Sequence, residues 1–490
     1  MSRAAIMIAG YDPGYLRITE HQVRRELGLG RTPVVLDSSS IAAGGVDSYD
    51  RATLRLFRLP YPGHDIRDRM ADLGVEVIDL PIRDSTPHTQ PLSDELEEAL
   101  AIAVQSALIT YYRTDQPDRS KRLVGRTADA LTREGRGVYR SLSAVLAADS
   151  NIDLIYLPNG RFPHQKMAVL AAHDAGISVL HFEKGETPDG TYLQPYAPQD
   201  RLGSQGAVEP TLAHREPDEI DAIADAWLAR RVPSTESSNE FAALWATDLP
   251  AELAELAAGT SRVAGFFTSS QDEFQFLGPE WQLHSWKDQF EAFDLTMTRM
   301  EDSGFRCYLR VHPNLATKTQ DCFIRERDGI RWLARRHPSL VVIEHDSFTN
   351  TYSLLDISDA VVVWDSTVGL EASARGIPVW TMATSRYGLV ADVREILSTD
   401  ALKSADLEPW KVDRHDAKRF IAYLVLRDDQ MESEYTSWLP WNASRPPLGA
   451  RIAAALKAGS TPYRVEAIAS IIDVYRHRSF GSNLRHIRGR

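Results

Sequence analysis

The stretch from Val361 to Trp380, VVVWDSTVGLEASARGIPVW, constrains the fold of this chain more than any other. Val361–Trp364 is an uninterrupted apolar run of the β-branched and aromatic kind that is typical of a buried parallel strand. A polar Asp-Ser-Thr turn follows, and Val368–Arg375 then has a helical pattern that a Gly-Ile-Pro sequence ends before another short apolar run. The stretch therefore predicts a strand–turn–helix–strand unit with two hydroxyl side chains where its helix begins.

Those hydroxyls, on Ser366 and Thr367, permit two interpretations. The first turn of a helix has N–H groups without intrahelical partners and a partial positive charge, so hydroxyls there are well placed to hold a phosphate. Glu371, one turn further along, is placed to accept hydrogen bonds from a ribose diol. The alternative is an ordinary N-cap, with Glu371 stabilising the positive end of the helix.

Length and charge limit the class of protein. A chain of 490 residues exceeds what one hydrophobic core serves, so we expect two domains of roughly 200 residues each. Its 43% apolar and 25% charged residues are ordinary for a soluble globular protein. A net charge of −13 disfavours binding to nucleic acid, because affinity for phosphate backbones depends on clustered Lys and Arg.

Targeting and metal signals are weak in the sequence. No apolar run approaches the ~20 residues of a membrane span, and the N-terminal MSRAAIMIAGYD predicts a short strand rather than a signal peptide, so we expect a cytoplasmic protein. The two cysteines, Cys307 and Cys322, occur without a CxxC or Cys/His cluster, which predicts neither a disulfide framework nor a metal site.

Strand and helix patterns alternate through two halves of the chain, which predicts parallel sheets. The strands predicted for the first half are Ala4–Ala9, Pro33–Leu36, Val75–Leu80, Ile152–Leu157 and Ser178–Phe182. The second half restarts with Arg262–Thr268, Cys307–Val311 and Leu340–Glu344. The polar segment Arg231–Asn239 indicates the boundary. We therefore predict an α/β fold with two Rossmann-like domains facing an interdomain cleft, at 1–235 and 236–430.

Residues 431–490 are predicted to cross back to the first domain. Pro462–Ser479 has a helical pattern with one apolar face, and a basic tail follows it. The arginines of this end are Arg476, Arg478, Arg485, Arg488 and Arg490. Such a tail can contact anionic lipid at ~1 kcal/mol per residue, and a solvated tail is the alternative.

Polar residues follow the predicted strands of the second half, where ligands bind in open parallel sheets. Thr268-Ser269-Ser270 follows the first strand, and Arg310-Val311-His312-Pro313 ends the next, with Lys318 shortly behind. Pro313 restricts His312 to an extended backbone, which leaves the imidazole at the strand tip. His337-Pro338 leads into a strand from its N-terminal side, so we predict a structural role for His337.

Three pieces of the second half together resemble a known family. FFTSSQDEF, LRVHPN with its trailing Lys, and TYSLLDISDAVVVWDSTVGLEASARGIPVW look like the C-terminal half of GT-B glycosyltransferases of bacterial capsule and surface-polysaccharide biosynthesis. The His-Pro and Ser-Thr pairs are also similar to motifs of bacterial sialyltransferases, Kdo transferases and polyglycerol-phosphate polymerases. The resemblance implies that His312, Ser366 and Thr367 contact a donor phosphate and that Glu371 holds the donor ribose.

The first half adds candidates for the acceptor side. Asn159-Gly160-Arg161 and Glu183-Lys184-Gly185 resemble pieces of the same capsule enzymes, and Glu-x-Gly is similar to the acidic motif that carries the general base in sialyltransferases. Lys184 stands where that motif has a second acid. A carboxylate at a strand end can take a proton from an acceptor hydroxyl. Asp12 is a second candidate base, and a surface ion pair of Glu183 with Arg161 or Lys184 is the structural alternative.

The resemblance, together with these residues, implies a metal-independent glycosyltransferase, with inversion of the anomeric configuration expected and retention as the alternative. Its substrates would be a CMP-, UDP- or CDP-linked sugar and a glycan or lipid-linked glycan acceptor at the inner face of the membrane, with no separate cofactor. Asn159 and Arg161 would bind the acceptor. The predicted donor residues are Ser269, Ser270, Arg310, His312, Lys318, Ser366, Thr367 and Glu371. The alternatives are a nucleotide-sugar 2-epimerase of the same fold and a non-catalytic partner in capsule assembly or export.

Overall fold

The structure, a computed structural model, describes residues 2–8, 13–38, 62–80, 91–187, 189–231, 249–270, 276–318 and 320–432. The chain divides into two compact units. Unit 1 contains Met1–Tyr112, Gln116–Asp200 and a C-terminal part that begins at Arg427, of which the structure describes residues up to 432. Unit 2 contains Arg113–Asp115 and Arg201–Leu426.

The strands of the described residues follow in chain order. They are β1 (Arg3–Met7), β2 (Thr32–Asp37), β3 (Glu76–Asp79), β4 (Ile152–Pro158), β5 (Ser178–Lys184), β6 (Gly190–Gln194), β7 (Arg262–Phe267), β8 (Phe305–Arg310), β9 (Val341–Ile343), β10 (Ala360–Val363), β11 (Val379–Thr381), β12 (Arg394–Glu395) and β13 (Asp428–Gln430). The first six and the last lie in unit 1, and β7 to β12 lie in unit 2.

The helices are numbered in the same way. They are α1 (Pro13–Gly28), α2 (Pro62–Asp72), α3 (Asp94–Tyr112), α4 (Arg122–Ala148), α5 (Pro163–Asp174), α6 (Arg201–Leu212), α7 (Pro217–Arg231), α8 (Ala251–Ala258), α9 (Gln289–Asp302), α10 (Gln320–Arg336), α11 (Thr351–Asp356), α12 (Thr367–Arg375), α13 (Thr399–Ser404) and α14 (Arg414–Leu426). Short 3₁₀ helices cover Pro279–Trp281 and Pro313–Thr317. Within the described ranges, no helix is both long and apolar enough to cross a membrane.

The sheet of unit 1 has the strand order β13-β6-β5-β4-β1-β2-β3. The neighbours from β5 to β3 in this order are parallel, whereas β6 runs antiparallel to β5 and β13 antiparallel to β6. Alternate residues of each strand point to opposite faces, so Met7 packs with α4 and α5 whereas its neighbour Ile6 packs with α1 and α2. The sheet is thus covered by helices on both faces, as parallel sheets require.

The sheet of unit 2 is parallel throughout and has the order β12-β11-β10-β7-β8-β9. Its strands are buried on both faces: Phe266 and Val362 pack on the side of α9, whereas Phe267 and Val363 pack on the side of α8 and α11. Counted within the unit, this is the order 3-2-1-4-5-6 of a Rossmann fold, and it reverses between β7 and β10. The two units confirm the predicted α/β fold class with two Rossmann-like sheets.

The boundary between the units differs from the one at 235 that the sequence suggested. Helices α6 and α7 belong to unit 2, because Trp227 of α7 packs in one apolar cluster with Leu370 of α12 and Tyr423 of α14. The chain returns to unit 1 at Arg427, and it does so through strand β13. The predicted linker from 232 onward and the predicted helix at 462–479, with its basic tail, lie outside the described residues.

Candidate functional site

The loops that follow β7, β8 and β10 are linked to one another at the carboxyl edge of the unit 2 sheet. The hydroxyl of Thr268, after β7, accepts the backbone N–H of His312 at 2.8 Å. The hydroxyl of Ser269 accepts the backbone N–H of Asp365, after β10, at 3.0 Å. The three polar loops therefore lie side by side at the point where the strand order reverses, which is where open α/β sheets bind ligands.

Buried hydrogen bonds hold the loop after β7 in place. Ser269 donates its backbone N–H to the Gln289 side-chain oxygen at 3.0 Å, and Gln289 is fully buried at the start of α9. Ser270 accepts a hydrogen bond from the Lys318 ammonium. The hydroxyls of Ser269 and Ser270, both predicted to bind the donor, thus have protein partners that fix their positions.

His312 follows β8 and caps the short 3₁₀ helix Pro313–Thr317. Its Nδ1 accepts the backbone N–H of Asn314 at 3.1 Å, so the proton of the neutral imidazole is on Nε2. The backbone at His312 is extended, with φ −63° and ψ 130°, as Pro313 requires. The ring is half-buried.

Two buried cations lie near His312 in the sequence. Lys318 is 2% exposed and holds Ser270, as above. Arg310, at the end of β8, donates to the carbonyl oxygens of Glu344 at 2.6 Å and Ser347 at 3.1 Å. Burial lowers the pKa of Arg310 to about 10, which leaves its guanidinium charged at neutral pH. Arg310 therefore holds the loop after β9 and adds positive charge behind the edge.

Ser366 is the N-cap of α12. Its hydroxyl accepts the backbone N–H of Val368 at 3.3 Å, and its carbonyl accepts the Tyr387 hydroxyl at 2.6 Å. Gly369 is required here, because a Cβ at that position would lie 2.1 Å from the Tyr387 oxygen. Thr367, the first helical residue, is exposed. The structure thus shows Ser366 as the N-cap of α12, and the Tyr387 hydroxyl holds the start of that helix in place.

Glu371 is buried in α12 and forms an ion pair. The Arg231 Nε donates to its carboxylate at 2.7 Å, and the carboxylate also contacts the Tyr352 hydroxyl. Burial, with the negative charge of Glu371, raises the pKa of Tyr352. A contact of Glu371 with the donor ribose would therefore form beside its ion pair with Arg231. The sequence did not indicate this ion pair, because Arg231 is distant along the chain.

Thr384 and Ser385, which follow β11, are candidates that sequence reasoning missed. Both are at most 1% exposed, and their hydroxyls have no hydrogen-bond partner within the part of the chain that the structure describes. The Ser385 backbone N–H donates at 3.1 Å to Glu395, which also pairs with Arg201 at 2.8 Å. Buried polar groups are nearly always satisfied, so we expect each hydroxyl to hydrogen-bond to water, to a ligand or to a part of the chain outside the described residues. The sequence signal that could have identified Thr384 and Ser385 is the segment TMATS (381–385), in which hydroxyl residues follow the predicted last strand of the Val361–Trp380 unit.

In unit 1, Glu183 is the centre of a hydrogen-bonded cluster at the carboxyl ends of β4 and β5. Its Oε1 accepts the Tyr15 hydroxyl at 2.5 Å and the Lys184 backbone N–H at 2.9 Å. Its Oε2 accepts the Asn159 side-chain amide at 2.8 Å. The Gln199 side chain donates to Asn159 at 2.6 Å and fixes which way that amide faces. Tyr15 and Gln199 were not predicted from the sequence.

The ion pair that was the structural alternative for Glu183 is replaced by these partners. The Arg161 guanidinium donates to the Thr110 hydroxyl at 2.6 Å and stacks on Phe162, 4.9 Å from the ring centroid. The Lys184 ammonium lies 4.9 Å from the centroid of the Tyr15 ring. The structure thus brings together Glu183, predicted as a catalytic base, and Asn159, predicted to bind the acceptor. Asp12, the second candidate base, lies outside the described residues.

The turn that positions Asn159 has an unusual backbone. Asn159 has φ +47° and Gly160 φ +86°, and a Cβ at Gly160 would lie 2.8 Å from the His181 ring. Only glycine fits a left-handed position so close to another side chain. Burial lowers the pKa of His181 to about 4, so this ring is neutral at pH 7 and acts as packing beneath the turn.

The structural role predicted for His337 is confirmed. His337 is 3% exposed, with Nδ1 2.7 Å from a Glu301 oxygen and Nε2 3.0 Å from an Asp294 oxygen. Both carboxylates belong to α9, so the ring connects the C-terminal end of α10 to α9. For metals, no group of three or more His, Cys, Asp or Glu is arranged to hold an ion among the residues that the structure describes.

Comparisons with solved structures find distant similarity. No protein-family model and no curated protein matches the sequence. Against KpsC of Thermosulfurimonas dismutans, a β-Kdo 2,4 transferase, the TM-score is 0.35 at 15% identity, over 56% of this chain and 79% of that chain. UDP-GlcNAc 2-epimerase of Neisseria meningitidis gives 0.31 at 13% identity, over 87% and 98%. A glycosyltransferase of Rickettsia africae gives 0.28 at 10% identity, over 97% and 99%. At these TM-scores none of them identifies a function for this chain.

Proposed function

We propose that this protein is a glycosyltransferase that moves a sugar from a nucleotide-activated donor to a surface or capsular polysaccharide acceptor. The observation that carries the proposal is the linkage of three polar loops by Thr268 and Ser269 at the reversal of strand order in unit 2. Nucleotides bind at such switch points, with their phosphates at a helix N-terminus. Here that helix is α12, which begins directly after Ser366.

The donor phosphate would be neutralised by protein groups in place of a metal ion. His312 would donate its Nε2–H to the phosphate, because Nε2 carries the proton when Nδ1 accepts from Asn314. The N-terminus of α12 adds partial positive charge, and buried Lys318 and Arg310 add full charges behind the loops. Stabilising the negative charge that develops on the leaving nucleotide is the main catalytic contribution open to such a site. The donor is a CMP-, UDP- or CDP-linked sugar in this proposal.

The acceptor would be activated from unit 1. Glu183 is half-buried at a strand end and is oriented by Tyr15 and Asn159, as a positioned general base must be. It would receive the proton of the acceptor hydroxyl as that oxygen attacks the anomeric carbon and the bond to the phosphate breaks. A single displacement of this kind inverts the anomeric configuration. Asn159 and Arg161 would contact a glycan or lipid-linked glycan.

Nucleotide binding tests the proposal directly. Calorimetry with UDP, CMP and CDP should give a dissociation constant for one of them in about the micromolar to millimolar range. A non-catalytic partner would bind none. A 2-epimerase would also bind UDP, but it would incorporate deuterium from D₂O into UDP-GlcNAc without any acceptor, whereas a transferase would release nucleotide only on transfer or slow hydrolysis.

Ser366→Asp separates the two roles of the N-cap residue. Asp caps a helix as well as Ser does, so stability should hold, but its negative charge opposes a bound phosphate and should weaken nucleotide affinity by about tenfold or more. Ser398→Asp is the matched control, because Ser398 caps α13 in the same way, accepting the Ala401 N–H at 3.0 Å. Unchanged affinity in Ser366→Asp would make Ser366 a cap alone. The measurements are thermal unfolding and calorimetry with the nucleotide identified above.

A further inference from the structure

One of the two Glu183 carboxylate oxygens, Oε1, already accepts two hydrogen bonds. Each carboxylate oxygen has two lone-pair sites, and Oε1 already accepts from the Tyr15 hydroxyl and the Lys184 backbone. A backbone N–H cannot pass on its proton at neutral pH, whereas a phenol can. Oε2 accepts from Asn159 alone, so a proton can reach Glu183 in two ways: directly at Oε2, or at Oε1 through Tyr15 without displacing a partner.

We propose that Tyr15 is a second catalytic residue, which relays the acceptor proton to Glu183. Three observations carry the proposal: the 2.5 Å hydrogen bond from the Tyr15 hydroxyl to Oε1, the half-buried position of Tyr15 in the first turn of α1, and the Lys184 ammonium 4.9 Å from its ring. The cation stabilises negative charge that develops on the phenol during transfer. This inference rests on the proposed transferase function.

The step balances without any further reactant. The acceptor hydroxyl gives its proton to the Tyr15 oxygen while the Tyr15 proton moves to Oε1 of Glu183. The acceptor oxygen forms its bond to the anomeric carbon, and the bond from that carbon to the donor phosphate breaks with its electron pair. Tyr15 ends neutral, Glu183 ends protonated, and the nucleotide leaves with the negative charge.

Tyr15→Phe removes the hydroxyl and keeps the ring that Lys184 covers. Turnover with the identified donor should fall by about 10²-fold, the size of a general acid–base contribution, with nucleotide affinity unchanged. Tyr139→Phe is the matched control, because the Tyr139 hydroxyl also donates to a carboxylate, that of Asp174, at 2.5 Å. Tyr139 lies on α4, outside the Glu183 cluster, so this variant should keep wild-type turnover.

A proton inventory distinguishes a relay from mere orientation of Glu183. Turnover of the wild type in mixtures of H₂O and D₂O should depend on deuterium fraction along a curve, since two protons move in one step. A straight line, or Tyr15→Phe turnover within about twofold of wild type while Glu183→Gln is inactive, would overturn the relay and leave the transferase proposal intact. Full activity of Glu183→Gln would instead remove the base that the proposed function assigns, and the relay with it.

Discussion

Glu183→Gln should reduce sugar transfer by about 10³-fold, within the range that a general base contributes, while the nucleotide dissociation constant changes by less than about threefold. Gln has nearly the same shape as Glu but cannot take up a proton at neutral pH. Affinity should hold because the proposed nucleotide contacts all belong to unit 2, whereas Glu183 belongs to unit 1. The measurements are single-turnover transfer and calorimetry on the same preparations.

The hydrogen bonds of Glu183 also define the control for this variant. In Glu183→Gln the side-chain oxygen can still accept from Tyr15 and Lys184, but the new NH₂ group would face the Asn159 NH₂ until one amide rotates. Asp174→Asn makes the same chemical change at a carboxylate that also accepts a tyrosine hydroxyl, so it reports the cost of losing such a charge elsewhere in unit 1.

Two outcomes would contradict the assignment. Wild-type transfer by Glu183→Gln would move the role of base to another acid, with Asp12 the next to test. A loss of nucleotide affinity would place Glu183 in the donor site, and the division of roles between the units would then be wrong. Thermal unfolding distinguishes either result from a variant that does not fold.

The strand segments and the edge that carries the polar loops were predictable because both follow from local patterns. Apolar runs such as Val361–Trp364 identify buried strands, and the polar residues that follow them must lie at the carboxyl edge of a parallel sheet. This reasoning brought Ser269, His312 and Ser366 to one edge, as the hydrogen bonds among their loops now show. The interdomain cleft stays a prediction.

The partners of the candidate residues were not predictable, because they come from distant parts of the sequence. Arg231 pairs with Glu371, Tyr387 holds the Ser366 carbonyl, and Tyr15 donates to Glu183. Each contact depends on how helices pack against the sheet, which periodicity does not specify. Packing likewise assigns α6 and α7 to unit 2, which the sequence pattern does not specify.

His312→Ala should lower turnover by about 10²-fold or more, in line with the loss of one preorganised donor to developing charge. The Nε2–H is the group concerned, because Nδ1 already accepts the Asn314 N–H at 3.1 Å. Folding should be little affected: the backbone N–H of residue 312 still donates to Thr268, and that bond links the two loops.

His312→Asn is the control that separates catalysis from capping. The Asn side-chain oxygen can accept the N–H of residue 314 as Nδ1 does, and Asn is a strong cap, so this variant should unfold at the wild-type temperature. It has no group at the position of Nε2–H, so its turnover should be as low as that of His312→Ala. If His312→Asn instead transfers sugar at the wild-type rate, His312 only shapes the Pro313–Thr317 turn, and the charge on the leaving phosphate is stabilised by Lys318, Arg310 and the start of α12. Steady-state turnover at saturating donor, together with thermal unfolding of both variants, distinguishes a catalytic role of His312 from a capping role.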